Sequence, residues 1–124
     1  MRNLVYAATF LAISGLLAIP TFVSAQTDST INVVASNWKF TTDSASPGTV
    51  TVHLNQTTTL RVTSKEGAHS IGSTALGIPE TILLPGKSVT LTFTPKKVGT
   101  YELHCNLPCG PGHPDMKLIV KVVE

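Results

Sequence analysis

From Thr30 onward, apolar and polar residues alternate in short runs. Val50, Val52 and Leu54 fall on one side of an extended segment, with Thr49, Thr51 and His53 on the other, because successive side chains of a strand point to opposite faces. Leu60 and Val62 repeat the pattern against Thr59, Arg61 and Thr63, and Val89, Leu91 and Phe93 repeat it against Thr90, Thr92 and Thr94. Tyr101, Leu103 and Cys105 oppose Glu102 and His104, and a last run sets Met116, Leu118, Val120 and Val122 against Lys117 and Lys121. Turn residues separate the runs: Ser46-Pro47-Gly48, Asn55-Gln56, Pro85-Gly86, Pro95 with Lys96-Lys97, and Val98-Gly99. Seven to eight strands at this spacing, over about 95 residues, predict an all-β sandwich of two sheets with Greek-key connections. No long amphipathic helix and no internal repeat interrupts the pattern, and residues 26–29 read as a short lead into the first strand.

The N-terminus has a different texture. Arg2 precedes an uncharged apolar run from Leu4 to Ile19, followed by Pro20 and the small-residue ending Val23-Ser24-Ala25. This is the layout of a signal peptide over residues 1–25, cleaved after Ala25. The alternative is a single membrane anchor, since Leu4 to Ala25 could just cross a bilayer as a helix. Either reading puts residues 26–124 outside the cytoplasm, in a periplasm or on the outer face of the cytoplasmic membrane, and the anchor reading adds membrane association through the N-terminus.

Composition narrows the function classes. A chain of 124 residues has room for one domain. Its 13% of charged residues and its 9 Gly and 8 Pro suit a turn-rich β fold better than a helical bundle. The formal net charge is +2 for the whole chain, and Arg2 is the sole charge before residue 26, so no basic stripe exists for nucleic acid. A nucleophile elbow, paired carboxylates and an open metal position are not found, so any enzymatic activity would be inherited from a complex.

The informative stretch is Cys105-Asn106-Leu107-Pro108-Cys109-Gly110-Pro111-Gly112-His113-Pro114-Asp115-Met116. Two thiols, an imidazole and a thioether lie between a strand ending at Cys105 and one beginning at Met116. In an oxidising compartment two such cysteines default to a disulfide. Thiolate and imidazole, however, select copper or zinc, and an added thioether tilts the choice to copper. The glycines and prolines make the loop tight, which holds donors in place and suits redox rather than hydrolysis. A further imidazole must come from elsewhere, and His69, in a loop between the strand ending near Ser64 and a turn at Pro79, is the best placed. His53 and His104 fall on the polar sides of their strands and read as surface histidines. Met116 alone would be a core residue, and Trp38, the single tryptophan, reads as core from its residue type, a family resemblance adding the alternative of an electron port.

The spacing Cys-x3-Cys-x3-His-x2-Met, with His69 upstream, resembles the binuclear CuA site of cytochrome c oxidase subunit II and of nitrous oxide reductase. The segment from Ala68 to Gly77 also resembles the subunit II segment around its first histidine, and the likeness spans residues 30 to 124. It implies a cupredoxin-like Greek-key β-sandwich. Carried over by position, it implies two copper ions bridged by Cys105 and Cys109, with His69 and His113 each terminating one. Met116 and the Leu107 backbone carbonyl would be weak axial ligands. It further implies a redox partner, cytochrome c or a terminal oxidase. Leu107 departs from the family, which usually has a glutamate there that also helps hold magnesium against the large oxidase subunit; leucine keeps the carbonyl and loses the carboxylate.

Three other readings stay open on the residues themselves. One is a mononuclear blue-copper carrier using His69, Cys109, His113 and Met116. Another is a Cu(I) trafficking module without redox duty, and the last is a metal-free domain closed by a disulfide.

Overall fold

The structure is a computed structural model and describes residues 19–23 and 28–124. The expected signal peptide or anchor at 1–25, and its boundary at Ala25, thus fall largely outside the described residues. Among the described residues no helix is long and apolar enough to cross a membrane.

Nine strands form among the described residues, one more than the upper end of the expected range: β1 (Ser29–Ser36), β2 (Lys39–Thr42), β3 (Thr49–His53), β4 (Thr58–Ser64), β5 (His69–Ser73), β6 (Ile78–Leu83), β7 (Ser88–Phe93), β8 (Gly99–His104) and β9 (Lys117–Val123). They make a four-stranded sheet ordered β2-β1-β4-β7 and a five-stranded sheet ordered β3-β9-β8-β5-β6. Two pairs are parallel, β1 with β4 and β3 with β9, which requires the crossovers between sheets that mark a Greek-key sandwich.

The alternation seen in the sequence becomes the core. Val50 and Val52 of β3, Leu60 and Val62 of β4, Leu91 and Phe93 of β7, and Leu118, Val120 and Val122 of β9 are all buried. Their polar neighbours face out, and on the outer side of the smaller sheet the hydroxyls pair across strands, Thr63 with Ser88 at 2.6 Å and Thr59 with Thr92 at 3.3 Å.

Pro79 lies inside β6 rather than in a turn. It is tolerated because β6 is an edge strand and its register with β5 shifts between Ile71 and Ser73, and edges and bulges are where a sheet can lack a backbone donor. β5 pairs with β8 at Gly72 opposite His104 alone. Gly72 has no room for a side chain, since a Cβ there would meet the Glu80 backbone at 3.0 Å. The β1–β2, β4–β5, β6–β7 and β8–β9 connections gather at one end of the sandwich, as the pairings of Ser36 with Lys39, His69 with Leu83 and His104 with Lys117 require.

Candidate metal centre

His69 is the first residue of β5 and is fully buried, not the loop histidine the sequence suggests. Gly67, at a φ of 76°, lets the β4–β5 connection fold back so that the Glu66 carbonyl reaches His69. Any side chain at position 67 would press on the imidazole, its Cβ only 3.0 Å from Nε2. The Nε2–H of His69 donates to that carbonyl at 2.9 Å. A carbonyl can only accept, so the neutral ring carries its proton on Nε2 and its lone pair on Nδ1. Nδ1 is buried and has no partner.

β8 delivers Cys105 to the same place. Cys105 is buried, and its Sγ lies 3.6 Å from Cys109 Sγ and 3.3 Å from the Leu107 carbonyl oxygen. The ligand atoms of His69, Cys105 and Cys109 all fall within 4.8 Å of one another. Cys109 extends the cluster, with Sγ 3.6 Å from His113 Nδ1 and 3.8 Å from Met116 Sδ. Met116 is buried just before β9, while Leu107, Cys109 and His113 are half-buried. All six candidate residues therefore converge at one end of the sandwich, and a single short turn, His113–Asp115, is the loop's only helical element. Both thiols are free, and 3.6 Å is far beyond a sulfur–sulfur bond of about 2.05 Å.

The Cys109 thiol is pushed from its ordinary 9.0 up to about 11, chiefly by burial and then by hydrogen bonding and repulsion from Cys105. Two thiols this close resist a second negative charge in a dry site. A cation placed between them reverses that preference, because metal-bound sulfur is deprotonated.

Trp38 occupies the part of the site that sequence reasoning left undecided. Its indole Nε1–H donates to the Cys109 carbonyl at 2.9 Å across 71 residues of sequence. Gly110 and Gly112 lie against the ring: a Cβ at Gly110 would fall on the indole, and one at Gly112 would lie 2.6 Å from Trp38 Cβ. The two glycines thus open a slot that one tryptophan fills, and the hydrogen bond fixes the turn that carries Cys109. Asn106 is tied down separately, its Nδ2 donating to Glu80 Oε2 at 2.7 Å.

His53 and His104 are exposed, and their bonds are made outside this cluster. His53 Nδ1 is 2.9 Å from the Glu124 carbonyl oxygen, and His104 pairs with Glu102 at 3.0 Å. Lys117 also reaches Glu102, at 3.1 Å, and its hydrogen bond holds that carboxyl below its ordinary range. A shallow groove of about 1160 Å³, lined by Gly72, Glu80, Tyr101, Glu102 and His104 among others, contains none of the six candidate ligands.

The donor set fits copper. The buried and unpartnered Nδ1 of His69 is the decisive feature, because an orphaned lone pair in a dry core is costly unless something occupies it. Two thiols and a thioether aimed at the same volume are soft donors of the kind copper prefers.

A family model for the cupredoxin-like domain matches residues 6–120. The chain belongs to the cupredoxin-like family. No curated protein matches this cupredoxin. Among solved structures it is similar to the periplasmic domain of subunit II of cytochrome oxidase, CoxB, of Bradyrhizobium japonicum, at 21% identity and a TM-score of 0.68 over 77% of this chain and 83% of that one. It is similar to a chain of a heme-copper terminal oxidase dimer at 17% identity and a TM-score of 0.70, over 93% of this chain and 78% of that one. Auracyanin B also matches, at 18% identity and a TM-score of 0.57 over 77% and 89% of the two chains. At these identities the likeness concerns the fold, and the Greek-key sandwich expected from the sequence is the fold found.

Proposed function

We propose that this cupredoxin is an exported copper protein of electron transfer with a binuclear centre of the CuA type. In this reading two copper ions would be held by the Cys105 and Cys109 sulfurs, with His69, His113, Met116 Sδ and the Leu107 carbonyl supplying the remaining donors. The observation that carries it is the facing of two free thiols 3.6 Å apart, with the unpartnered Nδ1 of His69 in the same cluster. A single thiol would suffice for one copper; a second at bridging distance is what a two-ion site asks for.

Copper, when bound, supplies one-electron redox chemistry at this site. The chain's own residues supply stiffness and dryness. The Trp38 indole and the two glycines beneath it lock the turn around Cys109, while β5 and β9 hold His69 and Met116 in the core, so the donors move little when charge changes. Burial of Cys105, His69 and Met116 keeps water from competing as a ligand. The half-buried His113, with Trp38 beside Cys109, marks the exposed end of the site, where a redox partner would dock. The similar subunit II domains support cytochrome c or a terminal oxidase as that partner, and a location in the periplasm or on the outer face of the cytoplasmic membrane for residues 26–124, with residues 1–25 as signal peptide or anchor.

One observation favours a mononuclear reading. Cys109 alone approaches both His113 and Met116, which with His69 would complete a one-copper set. The two readings part on Cys105. Replacing it by serine should halve the copper bound per chain and abolish the visible thiolate bands of a bridged pair if the site is binuclear. Retention of the wild-type copper content and spectrum in Cys105→Ser would instead favour the single-copper centre.

A further inference from the structure

Charge is spread unevenly around the metal end of the sandwich. Lys39, Lys65 and Lys87 are far apart in the sequence, yet the order β2-β1-β4-β7 sets them in a row. Lys39 opens β2 opposite Ser36, the last residue of β1. Lys65 follows β4, and its N–H donates to the Ala35 carbonyl at 2.8 Å. Lys87 precedes β7, and its carbonyl accepts from the Ser64 N–H at 3.1 Å. Neighbouring strands lie about 4.8 Å apart, so the row spans three spacings, about 14 Å, along one edge of the smaller sheet.

All three side chains are exposed. Among the described residues none of them is in an ion pair, those pairs being Glu102 with His104 and with Lys117. Glu66 is the carboxylate within the row, its Oε1 accepting from the Asn37 N–H at 3.3 Å, so three cations face one anion. The other carboxylates near this end lie elsewhere: Glu80 bonded to Asn106, Glu102 bonded to Lys117 and His104, and Asp115 on the metal loop.

The row borders the centre. Trp38, next to Lys39, bonds the Cys109 carbonyl, and Glu66, next to Lys65, holds His69 through its own carbonyl. The turn that bears Lys87 also exposes Leu84, and an apolar contact within a polar rim is the make-up of a protein interface. Unpaired like charges this close repel one another, and they attract an opposite charge over a screening length of about 10 Å at 0.1 M salt. Three cations interrupted by a carboxylate make a short grip for a nucleic acid, which is held through many phosphates.

We infer that this row is a docking face for a protein with an acidic surface, drawing it onto the Trp38 side of the metal loop. That the partner exchanges electrons there rests on the copper reading above; the charge recognition does not.

Cytochrome c provides a probe of either sign, because succinylation turns its basic lysines into carboxylates and leaves the haem in place. Added at low salt to the reduced, metal-free full chain, the succinylated protein should shift the amide resonances around Lys39, Lys65 and Lys87 in nuclear magnetic resonance spectra. The unmodified basic protein should not, and high salt should abolish the shifts. Lys39→Glu/Lys65→Glu/Lys87→Glu should weaken binding at least about tenfold. Lys96→Glu/Lys97→Glu/Lys121→Glu makes the same change of net charge away from the metal end and should keep binding within about twofold. After copper loading, one electron passes from the reduced centre to the ferric succinylated haem, and this step should slow at least about tenfold in the first triple variant alone. Absence of shifts in the wild type would overturn the docking face without any variant having to fold, and equal losses in the two triple variants would overturn it as well. Shifts of the same amides by phosphatidylglycerol vesicles, with none from the succinylated protein, would overturn the protein partner in favour of an anionic membrane surface. A wild type that takes up no copper would overturn the copper reading and the electron step with it, while the shift mapping still decides the face.

Discussion

Gly110→Ala separates two forces that act on the metal loop. Gly110 has a φ of 135°, a conformation that costs an L-residue about 1–3 kcal/mol. Independently, a Cβ at this position falls on the Trp38 indole, whose Cε2 and Cζ2 would both be 2.8 Å away. Overpacking of this kind costs about 1–3 kcal/mol more, and the ring cannot swing aside without giving up its 2.9 Å bond to the Cys109 carbonyl. The expected loss in the wild-type background is therefore about 2–6 kcal/mol. In a Trp38→Ala background the slot is empty and the backbone strain alone remains, so Gly110→Ala should cost about 1–3 kcal/mol there. Urea unfolding of the four metal-free proteins in a double-mutant cycle reads the difference as a coupling energy of about 1–3 kcal/mol. Equal costs in the two backgrounds would refute the claim that the indole fixes the turn bearing Cys109.

Further outcomes follow from the same geometry. Because the Cys109 thiol is held up to about 11, it is protonated at neutral pH, so copper uptake must expel its proton; calorimetry in buffers of different ionisation enthalpy should detect proton release, and affinity should rise with pH. The same shift makes the metal-free fold lose stability as pH rises from about 9 to about 11, because only the unfolded thiol ionises there, and below that window the group contributes no change. Leu107→Ala should keep the copper content, since that residue offers its carbonyl, while its partly buried side chain costs the metal-free fold about 1 kcal/mol or more in urea unfolding. Replacing the exposed His53 and His104 by alanine should leave copper content and spectrum unchanged, and a loss of copper from either would misassign the imidazole ligands.

The sequence displayed those parts of the fold that obey a two-residue period. β3, β4, β7, β8 and β9 each bury one face and expose the other, so the alternation of Val, Leu and Thr announces them. β5 escaped because its first four residues, His69 to Gly72, are all buried, and a strand covered on both sides carries no alternation. β6 was hidden by Pro79, which reads as a turn unless an edge position is known, and β2 is too short, at four residues, to show a period at all. The loop donors were legible because they lie within twelve residues and their chemistry is distinctive. Trp38 was not, because its partner lies 71 residues away, and no local pattern records which strand end meets which loop. His69 was picked out as a candidate ligand, yet its burial and its unpaired Nδ1 depend on a backbone carbonyl at Glu66 that no side-chain pattern reveals.

The most direct test is electron paramagnetic resonance of the reduced, purified chain after it is loaded with copper and brought to its one-electron-oxidised state, with copper counted in the same sample. An electron shared equally across a pair of thiolate-bridged nuclei should give two coppers per chain and a seven-line hyperfine pattern. One copper with a four-line pattern, or no copper retained at all, would contradict the binuclear centre.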